Sequence, residues 1–386
     1  MRIAFSYAGK IAGLGQSYIV NKTVMASVII KSLYQLFARD FNVDLAEKAK
    51  EAVKIKSINE FELAHGLLAR LLKRLGLTYY LSNISYDNKV AKRVKPCDIF
   101  HAFASQSTKS ILQAKKLGAR VIADNPNTHP ENIRNILAEE YRIWKVPYLA
   151  YSKIAVGRRV RALEAADIIL VLSKLSFQSF IDRGYSKEKL RRVPYGVDTE
   201  LFRPRVRNDD KFRVLFVGQI CLRKGFQYLL EAWRMLKLKN VELVLAGNIN
   251  PDALYALCKY ERKIDFKILG PFYRMEDIAK VYNQVSVAVF PSIEEGFGMV
   301  VTEALASGIP VVVSENVGAK DLINDGENGF IVPIRDAKAI KDSIAYLYED
   351  EKKRKDMSRK ARVKAESQTW QRYQDKLIGI YRELGQ

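Results

Sequence analysis

The chain has 386 residues, of which 48% are hydrophobic and 28% charged, a globular composition long enough for two domains with separate cores. Its three cysteines, Cys97, Cys221 and Cys258, are odd in number, widely spaced and without a Cys-x-x-Cys pair. That argues against a disulfide scaffold or a zinc site and for a reducing compartment. The net charge is +21, most of it in residues 1–200; such an excess serves anionic lipid, nucleic acid or a phosphorylated ligand, or simply keeps the chain soluble.

Taken in order, residues 2–7 read as a strand that runs into the loop Gly9-Lys-Ile-Ala-Gly13-Leu-Gly15. The start lacks the long apolar core of a secretion signal. The stretch 24–37, broken by Lys31, is too short and too polar to span a bilayer, so a cytoplasmic location is expected. The loop has neither the spacing of the dinucleotide fingerprint nor an acid about twenty positions beyond it. Residues 66–76 alternate Leu67, Leu68, Leu71 and Leu72 with Arg70, Lys73 and Arg74. This pattern fits either an amphipathic core helix or one lying on an anionic membrane surface.

Further strands are predicted over 99–103, 120–123, 168–173 and 191–194. Pro204 and the polar run 205–211 mark a join, after which strands recur over 212–217, 242–246, 266–269, 287–290 and 310–313. Each of these ends in Gly, Pro or a polar turn and leads to a helix, as over 226–237 and 336–349. After a charged helix, residues 369–384 place Trp370, Tyr373, Leu377, Ile378 and Tyr381 on one face. The fold expected is α/β, with two Rossmann-like doubly wound domains facing across a cleft. The first covers 1–203, the second covers 204–368, and 369–386 is a helix crossing back to the first. Ligands of such sheets bind beyond the carboxyl ends of the strands, so the loops there carry the candidate chemistry.

After the strand 287–290 come Pro291-Ser-Ile-Glu-Glu-Gly-Phe-Gly and an apolar helix from about Met299. Gly296 and Gly298 permit a tight turn, and the helix start offers unpaired N–H groups and a favourable dipole to a diphosphate. Glu303, on the first turns, leans back toward the same cleft. Two carboxylates would repel a diphosphate, so Glu295 and Glu303 suit neutral hydroxyls. After the strand 212–217, Gly218 leaves room for close approach and Arg223 and Lys224 bring cations suited to phosphate.

The run from Pro291 to Val312, with Glu295 and Glu303 bracketing Gly296-Phe297-Gly298-Met299, resembles the signature of family 4 glycosyltransferases, which have the GT-B fold. Tyr195-Gly-Val-Asp198 with Phe202 and Pro204, Arg223-Lys-Gly225, and Asp325-Gly-Glu-Asn-Gly-Phe-Ile-Val-Pro333 agree in order. The resemblance extends from about Ile99 to the C-terminus. It implies a retaining, metal-independent hexosyltransferase that needs no cofactor beyond its nucleotide-diphosphate sugar, a UDP- or GDP-sugar. Glu303 would hold the ribose hydroxyls, Glu295 and the backbone of Phe297–Met299 the donor sugar, and Lys224 the departing diphosphate. The family often has Gly-Arg where this chain has Gly218-Gln219; Arg223 is the candidate replacement.

By the same resemblance the Gly9–Gly15 loop, through Gly15, approaches the diphosphate, and a histidine faces the donor sugar. His129, after the loop 124–128, fits that better than His101; His65 reads as structural. Arg134, Glu139 and Glu140 are candidates for acceptor contacts. The acceptor expected is a glycan or a lipid, with a peripheral location at an anionic membrane surface and no nucleic-acid partner. A nucleotide-sugar-binding protein or an epimerase of GT-B-like fold is the competing reading.

Overall fold

The computed structural model describes residues 1–11, 16–41, 47–54, 77–147, 152–207 and 209–386. The first domain is built in the order β1 (Ile3–Ile11), α1 (Gln16–Ile29), β2 (Leu33–Phe41), β3 (Glu51–Lys54), α2 (Leu77–Ala91), β4 (Ile99–Phe103), α3 (Thr108–Lys116), β5 (Arg120–Asp124), α4 (Pro130–Ile143), α5 (Lys153–Ala165), β6 (Ile168–Val171), α6 (Lys174–Ile181) and β7 (Leu190–Arg192). Its strands pair in parallel in the order β3-β2-β1-β4-β5-β6-β7.

The second domain follows with β8 (Phe212–Val217), α7 (Phe226–Met235), β9 (Val241–Ala246), α8 (Leu254–Tyr260), β10 (Lys267–Leu269), α9 (Met275–Tyr282), β11 (Val287–Phe290), α10 (Met299–Ala306), β12 (Val311–Ser314), β13 (Gly329–Val332), α11 (Ala337–Glu349), α12 (Glu351–Glu366) and α13 (Trp370–Leu384). Its sheet, also parallel, has the order β10-β9-β8-β11-β12-β13. Central strands such as β4, β6, β11 and β12 are buried at every residue. Strands covered by helices on both faces read as unbroken apolar runs, and such runs are visible in the sequence.

Strands β2 and β3 were not among those expected. The apolar stretch 24–37 is split by a turn at Lys31 (φ 51°) between the end of α1 and the start of β2. Gln35, Arg39 and Asp40 then interrupt the apolar pattern within the strand. The strand expected over 168–173 stops at Val171 because Ser173 caps α6, its hydroxyl accepting from the Ser176 amide at 3.0 Å. The 66–76 segment and His65 lie outside the described residues.

The chain crosses between domains twice, side by side: the Val197 amide donates to the Gln368 carbonyl at 2.8 Å. Beyond the second crossing α13 packs on α1 in the first domain. There Tyr373 shares a 2.8 Å hydrogen bond with Thr23, and Tyr381 one of 2.8 Å with His101 Nδ1. A second clamp lies on α4. Glu140 has no exposed surface and accepts from three groups of the second domain: Gln227 Nε2 at 2.9 Å, the Tyr228 hydroxyl at 2.9 Å and Arg335 Nε at 2.7 Å. Glu139 pairs with the same arginine at 3.1 Å. These two acids therefore bind the domains together, Glu140 fully buried in doing so.

Replacing Glu140 with Ala removes the acceptor shared by Gln227, Tyr228 and Arg335, leaving Arg335 the half-exposed Glu139 and Gln227 the Leu222 carbonyl. The variant is expected to lose about 3 kcal/mol, the lower end of the cost of breaking a buried pair because Arg335 keeps some solvent contact. A lower urea midpoint with an unchanged slope is the result that checks it.

Candidate active site

In the second sheet the strand order reverses between β8 and β11, and ligands of open α/β sheets bind at such a point, beyond the carboxyl ends. The loop after β8 closes in a short helical turn, Leu222–Lys224, and leaves it through Gly225 at φ 70°. A β-carbon on Gly225 would collide with the Pro291 carbonyl, so glycine is what lets this turn lie flat against the loop after β11. The Ile293 amide donates to the Arg223 carbonyl at 2.9 Å and ties the two loops.

Lys224 Nζ thereby meets the Glu295 carboxylate. Burial works against the charge on Glu295, but Lys224 and then Arg223 outweigh it and hold the carboxyl below its ordinary range. Arg223 Nη1 donates to the Glu294 carbonyl at 3.0 Å and lies 3.4 Å from its Oε2 and 3.6 Å from Glu295 Oε2. The arginine reaches the site, but it braces the acidic turn as much as it faces the space in front of it. Gln219 is exposed.

The turn is also gripped by the first domain. Glu294 Oε1 accepts from the Thr128 hydroxyl at 2.9 Å, and the Gly296 carbonyl accepts from Ser173 at 2.8 Å and Ser176 at 3.1 Å. A β-carbon on Gly296 would strike Pro126 and Asn127, so the loops after β5 and β6 press directly on the turn. A cavity of about 360 Å³ opens beside Glu294, lined by Thr128, Asn132, Asn135, Gln178 and Asn316 among others.

Gly298 (φ 95°) leads into α10, which begins at Met299. Glu303 sits one turn on, 9% exposed, with its Oε2 3.2 Å from the Tyr282 hydroxyl. Burial pushes its carboxyl up to about 7, against the hydrogen bond from Tyr282, which lowers it. The two acids of the motif therefore differ: Glu295 is anionic and paired, whereas Glu303 titrates near neutrality.

The remaining expected residues divide. Gly218 sits at the end of β8 with open space where a side chain would point. Phe297 turns its ring away, edge-on to Tyr195 at 5.8 Å in the core, and only its backbone faces the turn. His129 does not join Lys224 and Glu295. It caps α4, Nδ1 accepting from the Glu131 amide at 3.3 Å, and its ring packs on Phe180 and Tyr185. Burial lowers its pKa to about 4, so it is a neutral capping residue. His101 is fully buried, with Nδ1 held by Tyr381. Gly15 lies outside the described residues. Glu294, Thr128, Ser173, Ser176 and Tyr282 are additions; the doubled acid Glu294-Glu295 is the one signal the sequence offered for any of them.

Residues 197–364 match the family described as glycosyl transferases group 1. The D-inositol 3-phosphate glycosyltransferase of Paenarthrobacter aurescens is 30% identical over 216 residues, 52% of this chain and 53% of that protein. The chain thus spans about half the length of the curated relatives it matches. The sucrose-phosphate synthase of Thermosynechococcus elongatus superposes with a TM-score of 0.76 at 21% identity, covering 99% of this chain and 98% of that one. Anabaena HepE in complex with UDP-glucose does so at 0.70 and 17% identity, covering 99% and 100%. These likenesses fix the GT-B architecture for the whole chain.

Because the folded state holds the Glu303 proton more tightly than the unfolded chain, stability falls as pH rises from 4.5 through about 7. Glu303→Gln removes that contribution. The stability difference between E303Q and the wild type is expected to shift in favour of the variant across this window, measured by urea unfolding at a series of pH values.

Proposed function

We propose that this chain, whose residues 197–364 match the glycosyl transferases group 1 family on a GT-B frame, moves a sugar from a nucleoside-diphosphate donor to an acceptor hydroxyl with retention of configuration. The observation that carries the reading is the meeting of Lys224 and Glu295 at the β8/β11 crevice beside the start of α10. A cation, a carboxylate and free helix amides converge there, and a nucleotide sugar presents a diphosphate, sugar hydroxyls and ribose hydroxyls to match them.

On this reading the donor diphosphate takes Lys224 from Glu295 and rests on the amides at Met299. Freed from its partner, Glu295 accepts from the hydroxyls of the donor sugar. Glu303, one turn further, binds the ribose hydroxyls and can accept or donate because it titrates near neutrality. As the bond from C1 to the phosphate oxygen breaks, charge builds on the diphosphate, where Lys224, helped by Arg223, stabilises it. The acceptor oxygen bonds to C1 on the same face and its proton passes to the leaving phosphate. Lysine and arginine do the neutralising, so the scheme uses no metal. The UDP-glucose in Anabaena HepE supports a uridine or similar nucleotide as donor.

We further propose a glycan or lipid-linked acceptor, with the basic first half turned toward an anionic surface. No helix among the described residues is long and apolar enough to cross a membrane. The competing epimerase reading needs no acceptor, which gives the decisive measurement: nucleoside diphosphate should be released from the donor only when acceptor is added. Lys224→Ala should lower kcat/KM by about 10²–10³, the loss seen when one group that stabilises transition-state charge is removed, and Glu303→Ala, which loses the ribose contacts, should lower it through a higher donor KM. Unchanged turnover in both would place the site elsewhere. The anomeric configuration of the product, read by NMR, tests retention.

A further inference from the structure

One buried cation has no role in the site so far described. Helix α5 ends just before β6 begins, so it runs down the sheet from the carboxyl edge, and its N-terminal end faces the cleft. Helical side chains lean toward their N-terminus, which aims Arg159, midway along α5, up toward that edge. It is 9% exposed. Its Nη2 reaches only an amide oxygen, Asn125 Oδ1 at 3.5 Å, and its Nε has no partner.

The neighbouring Arg158 shows the contrast. It is paired at 3.1 Å with Asp87, a buried carboxylate also held by the Lys109 and Ser110 amides. Arg159 has no such carboxylate among the described residues. Asp124, the acid next to Asn125 in sequence, makes no hydrogen bond to Arg159: neither of its oxygens has a hydrogen-bond partner, and Oδ2 lies 3.9 Å from His101 Nε2. A guanidinium stays protonated, and a buried unpaired charge costs several kcal/mol. A site that keeps one is made for an anion from outside.

Its position says which anion. Asn125, the residue Arg159 touches, donates from Nδ2 to the Asn127 carbonyl at 2.6 Å and so shapes the loop that presses on Gly296 of the donor turn. We propose that Arg159, supported by the Asn125 side chain, receives an oxyanion carried by the acceptor, a phosphate ester or a carboxylate, and so sets the distance between that group and the hydroxyl presented to the donor sugar. The planar fork of a guanidinium suits either anion. This proposal rests on the glycosyl-transfer reading for its meaning, but its test does not need turnover.

Inorganic phosphate and, separately, acetate are titrated by calorimetry into the full-length K224Q chain, which lacks the donor-side lysine, and into K224Q with R159Q or R159K. K224Q should bind at least one of the two anions. R159Q should weaken that binding about tenfold or more, as loss of a charged hydrogen bond does, with R159K falling between. Equal affinity with and without Arg159 overturns the proposal, even if transfer activity is established; absence of transfer with this difference intact overturns only the activity. Melting curves without added anion give the second readout. Removing an uncompensated cation should leave Tm unchanged or higher, so a marked fall in R159Q, showing a structural pairing, also overturns it. Glucose 6-phosphate against glucose, and phosphatidic acid against neutral vesicles, distinguish a soluble from a lipid source. The preferred anionic partner should lose its advantage in R159Q through KM rather than kcat, and no anionic preference in the wild type overturns the proposal.

Discussion

A buried carboxylate is the interaction on which the joining of the two sheets most depends. Glu140 leaves the first domain on α4 and ends among Gln227, Tyr228 and Arg335 of the second, with no water left to solvate it. An anion in that position is stable only while all its donors are in place. Tyr141, beside it on α4, donates to Asp252, which also accepts from the Leu222 amide at the head of the Lys224 turn. The clamp between domains and the cation of the site therefore share one short chain of hydrogen bonds. On the other side the crossing strands and α13 close the arrangement, so the carboxyl ends of both sheets face one another.

Within that frame the site is a problem in placing charges. Both sheets put their reactive loops at one edge, and the β8/β11 reversal separates two of those loops enough for a ligand to enter. Lys224 and Glu295 fill the opening with each other. Their pairing compensates two buried charges, and on the proposed reading the diphosphate and the sugar hydroxyls of a donor would replace the two partners. Glu303 is handled differently: burial holds its proton up to neutral pH in spite of the Tyr282 hydrogen bond, which favours the anion. Two carboxylates eight positions apart in sequence thus acquire different chemistry from burial and partners alone.

The first domain supplies the less obvious half. Thr128, Ser173 and Ser176 fasten the acidic turn from across the cleft. The glycine at 296 is needed because first-domain backbone occupies the space a side chain would take. Arg159 lies behind the same loop, so the β5–α4 connection links that buried cation to the acidic turn.

The sequence by itself determined the alternation of strands and helices in the second domain, the two-domain architecture and the acidic turn with its lysine. Buried parallel strands are short unbroken apolar runs, and turns that approach a ligand need glycine at fixed offsets. It did not determine β2 and β3, where polar residues interrupt the run, nor the use of His129. A histidine after a strand looks the same whether it faces a ligand or caps the next helix, and only the Phe180 and Tyr185 rings packed around it decide. The partners of Glu140, the hold of Thr128 on Glu294 and the contact of Arg159 with Asn125 join residues far apart in the chain. Such pairings leave no periodicity to read, because they are set by tertiary packing and by how two domains meet.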